Sequence, residues 1–398
     1  MKYALREFDV ASLPASVPLA ADESGLGAVL RDRDRLVGFR LEPKPEGTDA
    51  VSTRGFYDHD VRAACLIERM RDELAVPAGL APSISVAICS KDNATLVARV
   101  LDSLDAIRDA ELEILVIDNA SVTDGLKTLC AGRAGVRYVR EPLVGLDFAR
   151  NRAVTEATGN IVAFLDDDVR VDRLWLWAMR RAWSENPDAG CITGLVLPMF
   201  LDTEARVLFE QRGGFRRGFR PLRFGREKFQ EVIHPCGAGR FGAGANMSVR
   251  RQLVLDLGGF DEALDTGRPL PGGGDLDMFY RVLRAGASLV YEPQAAVYHE
   301  HRRGLHELKR QYYTWGLGFA AFVEKSRRAD PAMALHFRRT MQFWAVYQTA
   351  RLVRRLTGND PTPASMILAE IKGLVVGSFG EYERSVRRSR AIRAAHAS

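Results

Sequence analysis

From residue 83 to 168 four short apolar runs alternate with amphipathic stretches, and every run ends on polar or acidic residues. The runs are 83–89 (SISVAIC), 111–118 (ELEILVID), 136–141 (VRYVRE) and 160–168 (NIVAFLDDD). Helical spacing fills 93–107 and 148–158, with Gly159 as the stop of the second helix. Strands that return through helices at this pitch predict right-handed βαβ units and a sheet covered by helices on both faces. In such sheets ligands gather at the carboxyl ends of the strands. That rule singles out Cys89–Lys91, Asp118–Ser121, Glu141 and Asp166–Asp168 as parts of one site.

The remaining chain is read around this unit. With 398 residues, 46% hydrophobic and 27% charged, it has room for a globular catalytic domain with appendages. Residues 1–80 contain a strand at 36–43 and an amphipathic helix at 58–74, followed by a Pro/Gly linker at 76–82. They form an α+β accessory segment without recognisable chemistry. The opening MKYALREFDV lacks the apolar core of a secretion signal, and no apolar run approaches the roughly 20 residues of a membrane span. Five dispersed cysteines without a CxxC pair predict reduced thiols and a cytoplasmic location.

Net charge is unevenly spread. Residues 302–398 hold 18 Lys+Arg against 7 Asp+Glu, a balance of +11, so the rest of the chain is acidic although the whole is +5. Helical patterns at 305–328, 336–356 and 364–390 carry this excess together with many aromatics. Such helices can lie on the inner face of an anionic membrane, or pack on the catalytic domain or across a homodimer with their charge solvated. No nucleic-acid-binding module accompanies the charge, which argues against that partner. The arginine-rich stretch 212–227 reads as a mobile loop that either closes over a ligand or is a solvated surface.

Three clusters carry chemistry. Asp166, Asp167 and Asp168 repel one another at the end of a buried strand; a divalent cation offsets that cost, as does a solvated turn. Strand alternation puts Asp166 and Asp168 on one face and Asp167 on the other. Three glycines precede Asp275 and Asp277 in GGGDLDMFYR (272–281), where Asp275 stands at a helix mouth either as an N-terminal carboxylate or as a general base. His299 and His301 end the apolar run 287–303, where neutral imidazole can complete a metal shell, His299 ahead of His301, and Arg302 can meet a diphosphate.

Taken in order over residues 83–305, SVAICSKDN, VIDNAS, GLDFARN, FLDDD, GAGANMSVRR, GGFDE, GGGDLDMFYR and Tyr298–His299 resemble family 2 of the nucleotide-sugar glycosyltransferases. The resemblance implies a GT-A type, Rossmann-like mixed sheet flanked by helices over 83–305, with the accessory segment 1–80 before it and a basic helical segment over 306–398. It implies a nucleotide-sugar site formed by Cys89, Ser90, Asn93, Asp118, Asn119, Ser121, Arg150, Asn151, Asp166, Asp167, Ala245 and Asn246. It further implies Mn²⁺ or Mg²⁺ on Asp168 and His299, Asp275 as catalytic base, and Asp277 and Arg302 toward the acceptor or behind it. The expected reaction is inverting transfer of a sugar to a glycan or lipid-linked acceptor hydroxyl, in polysaccharide or glycolipid biosynthesis. One departure stands out: Gly274-Asp275 occupies the place where the family often has Glu-Asp. A nucleotidyltransferase or an NAD-dependent enzyme would need a glycine-rich phosphate loop after the first strand, and 89–95 (CSKDNAT) has no glycine. A sugar-nucleotide or glycan-binding protein without catalysis would have no use for Asp275.

Overall fold

A computed structural model describes residues 1–74, 82–225, 233–267 and 269–397; the linker reading of 76–82 lies almost wholly outside them. The N-terminal segment consists of β1 (Tyr3–Asp9), β2 (Ser16–Pro18), β3 (Gly25–Asp32), β4 (Arg35–Pro43), β5 (Ala50–Ser52) and α1 (His59–Glu73). β3 lies between β1, to which it is parallel, and β4, to which it is antiparallel. Only β4 and α1 were visible as patterns. β3 is buried at all eight positions, including Arg31 and Asp32, so it lacks the alternation that marks a half-buried strand.

The central unit runs β6 (Ile84–Ser90), α2 (Ala94–Asp105), β7 (Glu113–Asn119), α3 (Gly125–Ala131), β8 (Val136–Glu141), α4 (Leu146–Glu156) and β9 (Ile161–Leu165). It continues through β10 (Val169–Val171), α5 (Trp175–Glu185), β11 (Ala189–Pro198), α6 (Glu204–Gln211), β12 (Leu222–Phe224), β13 (Asn246–Arg250), α7 (Arg251–Asp256), α8 (Gly274–Arg284) and β14 (Ser288–His299). The strands order as β10-β14-β11-β13-β9-β6-β7-β8, with β12 added to β14. β6 to β9 are parallel, and β13 is antiparallel to both of its neighbours, so the sheet is mixed.

Alternation along the strands builds two cores. Ile84, Val86 and Ile88 of β6 and Ile161, Ala163 and Leu165 of β9 face α2, α3 and α5. Ala87, Val162 and Phe164 face the other way, toward α4, α7 and α8. The N-terminal segment covers neither of these faces but the β11/β14 flank, where Tyr3, Val29, Leu36 and Phe39 pack on Leu195, Leu197, Tyr291 and Tyr298. Gln294 fixes its register by accepting from Leu36 N at 2.9 Å and donating to Leu36 O at 2.8 Å. Buried ion pairs of Arg31 with Asp172 and of Arg71 with Glu292 lock the contact.

The chain ends in α9 (Leu305–Ala329), α10 (Ala334–Leu356), α11 (Ala364–Gly377) and α12 (Glu381–Ala397). The pattern 364–390 is thus two helices, broken at 378–380 where Gly380 turns with φ 76°. α9 and α11 approach so closely that a Cβ at Gly316 would overlap Glu370 O and one at Gly373 would overlap Tyr313 O. Phe322 and Val323 of α9 and Phe337 of α10 enter the core beneath α8. Among the described residues no helix is long and apolar enough to cross a membrane.

Candidate active site

The acidic turn sits where β9 leaves the sheet. Asp166 N donates to Ala245 O at 3.3 Å, which ties the turn to the loop entering β13. The next strand, β10, pairs antiparallel with β14 so that Val169 faces His299. That register places His299 Nε2 3.2 Å from Asp168 Oδ1. Asp166, Asp168 and His299 each offer one ligand atom, all within 4.8 Å of one another. Asp167 points the other way and accepts from Ser90 Oγ at 2.6 Å and Asn93 Nδ2 at 2.9 Å; the three acids stand in the turn beyond β9, so the turn and not strand alternation separates them. Burial raises the pKa of both Asp166 and Asp168, reinforced by repulsion within the acidic triplet. Burial, aided by His301, lowers that of His299 to about 3. Asp168 Oδ1 is buried with no hydrogen-bond donor. Two carboxylates whose charge is uncompensated, beside a neutral imidazole, are a donor set that fits Mn²⁺ or Mg²⁺.

Asp275 lies in the first turn of α8, which begins after Gly273 in a left-handed conformation (φ 110°). Its Oδ2 accepts from Gly244 N at 3.0 Å and its Oδ1 from Leu276 N at 2.8 Å. Gly244 adjoins Ala245, so one short loop connects Asp275 to the acidic turn. Arg150 is buried beside it, donating to Asp147 Oδ1 at 2.9 Å and Asp265 Oδ2 at 3.3 Å. Asp265 Oδ2 also accepts from Gly274 N at 3.2 Å, joining the arginine to the start of α8. The departure at Gly274 has a physical counterpart here. A Cβ at Gly274 would overlap Asp147 Oδ2, so the side chain absent from α8 is met by a carboxylate arriving from α4. Asp147 is fully buried, its Oδ2 has no donor, and burial raises its pKa well above the ordinary range. A buried acid inside a helical pattern gave no sequence signal of this role.

At the β7 end the polar groups satisfy one another. Asp118 accepts from Ser121 N at 2.9 Å, Tyr138 Oη at 2.6 Å and Arg140 Nη1 at 2.6 Å. Burial would raise its pKa, but these bonds outweigh burial and hold it below the ordinary carboxylate value. Asn119 pins the entry to α4 through Gly145 N and Leu143 O, and Ser121 Oγ accepts from Asp92 N. Cys89 lies at the β6 end, where burial pushes its thiol up to about 12.

Three residues expected to meet ligand are engaged otherwise. Asn246 is wholly buried, donating to Leu195 O and Ala295 O and accepting from Trp175 Nε1. Asn151 uses its amide on Phe260 and Glu262, holding the 258–262 loop. Asp277 is enclosed between Arg281 and Lys325 and has no exposed surface for an acceptor. Each shapes the site through the backbone it anchors. Arg302 stays half-exposed, 4.0 Å from Asp168. In the described part of the arginine-rich stretch, 212–225, Arg220 and Arg223 keep much of their side chains exposed, whereas Arg212, Arg216 and Arg217 are engaged by the protein. Arg212 pairs with Glu370, Arg216 with Glu210, and Arg217 donates to Gly239 O and Arg240 O. β12 closes the stretch onto β14.

With this geometry in place, the family model for glycosyl transferase family 2 matches residues 85–243, which holds β6 to β9 and the acidic turn. The match covers that part of the chain and shows its likeness to the family. A pre-mycofactocin glycosyltransferase of Mycobacterium tuberculosis is 26% identical over 226 residues, 56% of this chain and 44% of that protein. A glucosyl-dolichyl phosphate glucuronosyltransferase of Haloferax volcanii is 28% identical over 128 residues, 31% of this chain and 36% of that protein. The chain thus spans less than half the length of these curated relatives. Among solved structures, a mannosyltransferase from Pyrobaculum calidifontis in complex with GDP-Man and Mn²⁺ is 20% identical, covering 84% of this chain and 94% of that one with a TM-score of 0.48.

Proposed function

We propose that this protein is an inverting glycosyltransferase that moves a sugar from a nucleotide-diphosphate sugar, held with a divalent metal, to an acceptor hydroxyl. The observation that carries the reading is the orphaned Asp168 Oδ1 in the Asp166–Asp168–His299 cluster, one short loop away from the half-buried carboxylate of Asp275. Asp166, Asp168 and His299 would hold the cation, which supplies positive charge to the departing diphosphate. Arg302, half-exposed beside Asp168, adds to that charge. Asp275 keeps lone pairs beyond its two backbone bonds and takes the proton from the acceptor hydroxyl. The oxygen then attacks the anomeric carbon opposite the diphosphate, the old bond breaks toward the nucleotide, and the configuration inverts. Asp167, braced by Ser90 and Asn93, and the frame around Asp118 position the nucleoside.

A glycan or lipid-linked acceptor agrees with the dolichyl phosphate in one relative's name. Exposed Phe343, Val346, Leu368 and Phe379 on and beside α10 and α11, with Arg338 and Arg339 on the surface, suit contact with an anionic membrane. The deciding experiment is a thermal-shift screen of UDP-, GDP- and dTDP-sugars with Mn²⁺ or with EDTA. Stabilisation by one nucleotide class that EDTA abolishes supports the site and names the base. No stabilisation by any of them, with or without metal, overturns it.

A further inference from the structure

Behind the metal position a chain of buried polar atoms leads away from the sheet. His299 Nδ1 lies 3.0 Å from His301 Nδ1, and His301 Nε2 lies 2.8 Å from Glu210 Oε1. Glu210 is brought there by α6 and is paired with Arg216. All three links are enclosed: Glu210, His299 and His301 are each at most 6% exposed. Phe209 and Phe215 stand edge-on to the imidazoles, with ring centroids 4.5 Å (Phe209 to His301) and 5.6 Å (Phe215 to His299) apart, which prevents the rings from turning over freely.

The direction of the hydrogen bonds in this chain is determined by its far end. A carboxylate paired with a guanidinium can only accept. His301 Nε2 must therefore carry the proton and donate to Glu210, which leaves His301 Nδ1 a bare lone pair. Two acceptors cannot face each other at 3.0 Å, so His299 Nδ1 carries the next proton and donates. His299 Nε2 is then unprotonated and turned toward Asp168. A bare Nε2 and Asp168 Oδ1, two acceptors held 3.2 Å apart, then need a cation between their lone pairs, which is what the metal reading supplies. Arg206, which donates to His301 O at 3.0 Å, and Arg216 beyond Glu210 hold the far end of the chain in place.

We propose that Glu210 and His301 are positioning residues that fix His299 in its Nδ1–H tautomer, so that the Nε2 lone pair is presented to the cation beside Asp166 and Asp168. The proposal rests on the metal reading above and adds to it the residues that make His299 a ligand. Glu210 lies in α6, far along the chain from the acidic turn, and carries no motif. Outer partners of this kind commonly change metal affinity by about 10–100-fold when removed.

The test uses the full chain without nucleotide, titrated with Mn²⁺ while the EPR signal of the free ion is followed. Glu210→Leu and His301→Phe are expected to bind Mn²⁺ about 10–100-fold more weakly than wild type. Glu210→Gln, which keeps a carbonyl acceptor for His301, is expected to remain within a few-fold of wild type. In parallel, ¹⁵N NMR of histidine-labelled wild type should show His299 protonated at Nδ1. A folded Glu210→Leu with unchanged Mn²⁺ affinity, or a wild-type His299 protonated at Nε2, overturns the relay while leaving the metal site in place. Wild-type chain that binds no Mn²⁺ overturns the metal reading and the relay with it. Should Glu210→Leu fail to fold, the wild-type tautomer and the Glu210→Gln titration decide.

Discussion

Two strand ends on either side of β6 treat their carboxylates in opposite ways. At the end of β7, Asp118 receives three hydrogen bonds, and Asp92, reaching across from beyond β6 in a left-handed turn (φ 58°), accepts from Val122 N at 2.8 Å and Thr123 N at 3.1 Å. At the end of β9, Asp168 keeps an oxygen with no donor, and nearby Asp147 keeps another. The first end is finished by the protein alone and is a rigid frame. The second is finished only when something positive arrives. A buried polar atom without a partner is costly, so where such atoms cluster beside a proposed base they mark the place where a ligand completes the fold.

The contrast can be broken most sharply at the base. Asp275→Asn is expected to lower turnover by about 10²–10⁴-fold while Mn²⁺ binding persists, because the amide cannot take the proton yet leaves the cation cluster whole. Retained turnover would move the base elsewhere. Next comes the unfinished end itself. Asp168→Ala should abolish the part of nucleotide stabilisation that EDTA removes in wild type, measured by thermal shift; a metal-dependent shift that survives would place the cation on other residues.

The two ends should also answer pH with opposite signs. Asp166 and Asp168 have raised pKa values, so without cation they stabilise the fold most below the ordinary carboxylate pKa and lose that contribution as pH rises through their raised values. Protons therefore compete with metal, and Mn²⁺ affinity should fall between pH 7.5 and pH 5.5. Asp118 has a lowered pKa, so its contribution is present above the ordinary carboxylate pKa and disappears as pH falls through the depressed one. Mn²⁺ binding that is flat across this interval would remove the distinction. The smallest effect belongs to the finished end: Asp118→Asn should cost about 1–3 kcal/mol of stability in denaturant unfolding while leaving Mn²⁺ affinity unchanged. A large loss of metal binding in that variant would mean that the ends are not independent.

What the sequence disclosed follows the same division. Strand period and strand ends were legible: β6 to β9 fall where the apolar runs lie, and the acids follow β9, although a turn and not strand alternation parts Asp167 from Asp166 and Asp168. Polar residues close to a motif were over-read as ligand contacts. Asn151, Asn246 and Asp277 are engaged by Phe260, Leu195 and Lys325, and no local pattern records which way an amide or carboxylate is used. The contributions of Asp147 and Glu210 depend on tertiary neighbours alone. So does the long β14, whose register with β10 carries His299 to Asp168 across more than a hundred residues of chain. The hydrophobic cores cross both boundaries read at 80 and 305: β3 and β4 share one with β14, and α9 shares one with α8.

The glycine contacts of α9 have a consequence for how damage to this protein would look. Gly318 of α9 abuts the backbone of the loop before α8, where a Cβ would lie 2.9 Å from Gly272 O, and Gly316 on the same helix is pressed against α11. The backbone that carries Asp275 therefore rests on a stack whose far layer is encoded about a hundred residues later. Genetically, the loop before α8 has a second address. A lesion that thickens α11 at Gly373 would displace α9 and tilt the base, and an assay would record it as a lost active site although every residue of that site was intact.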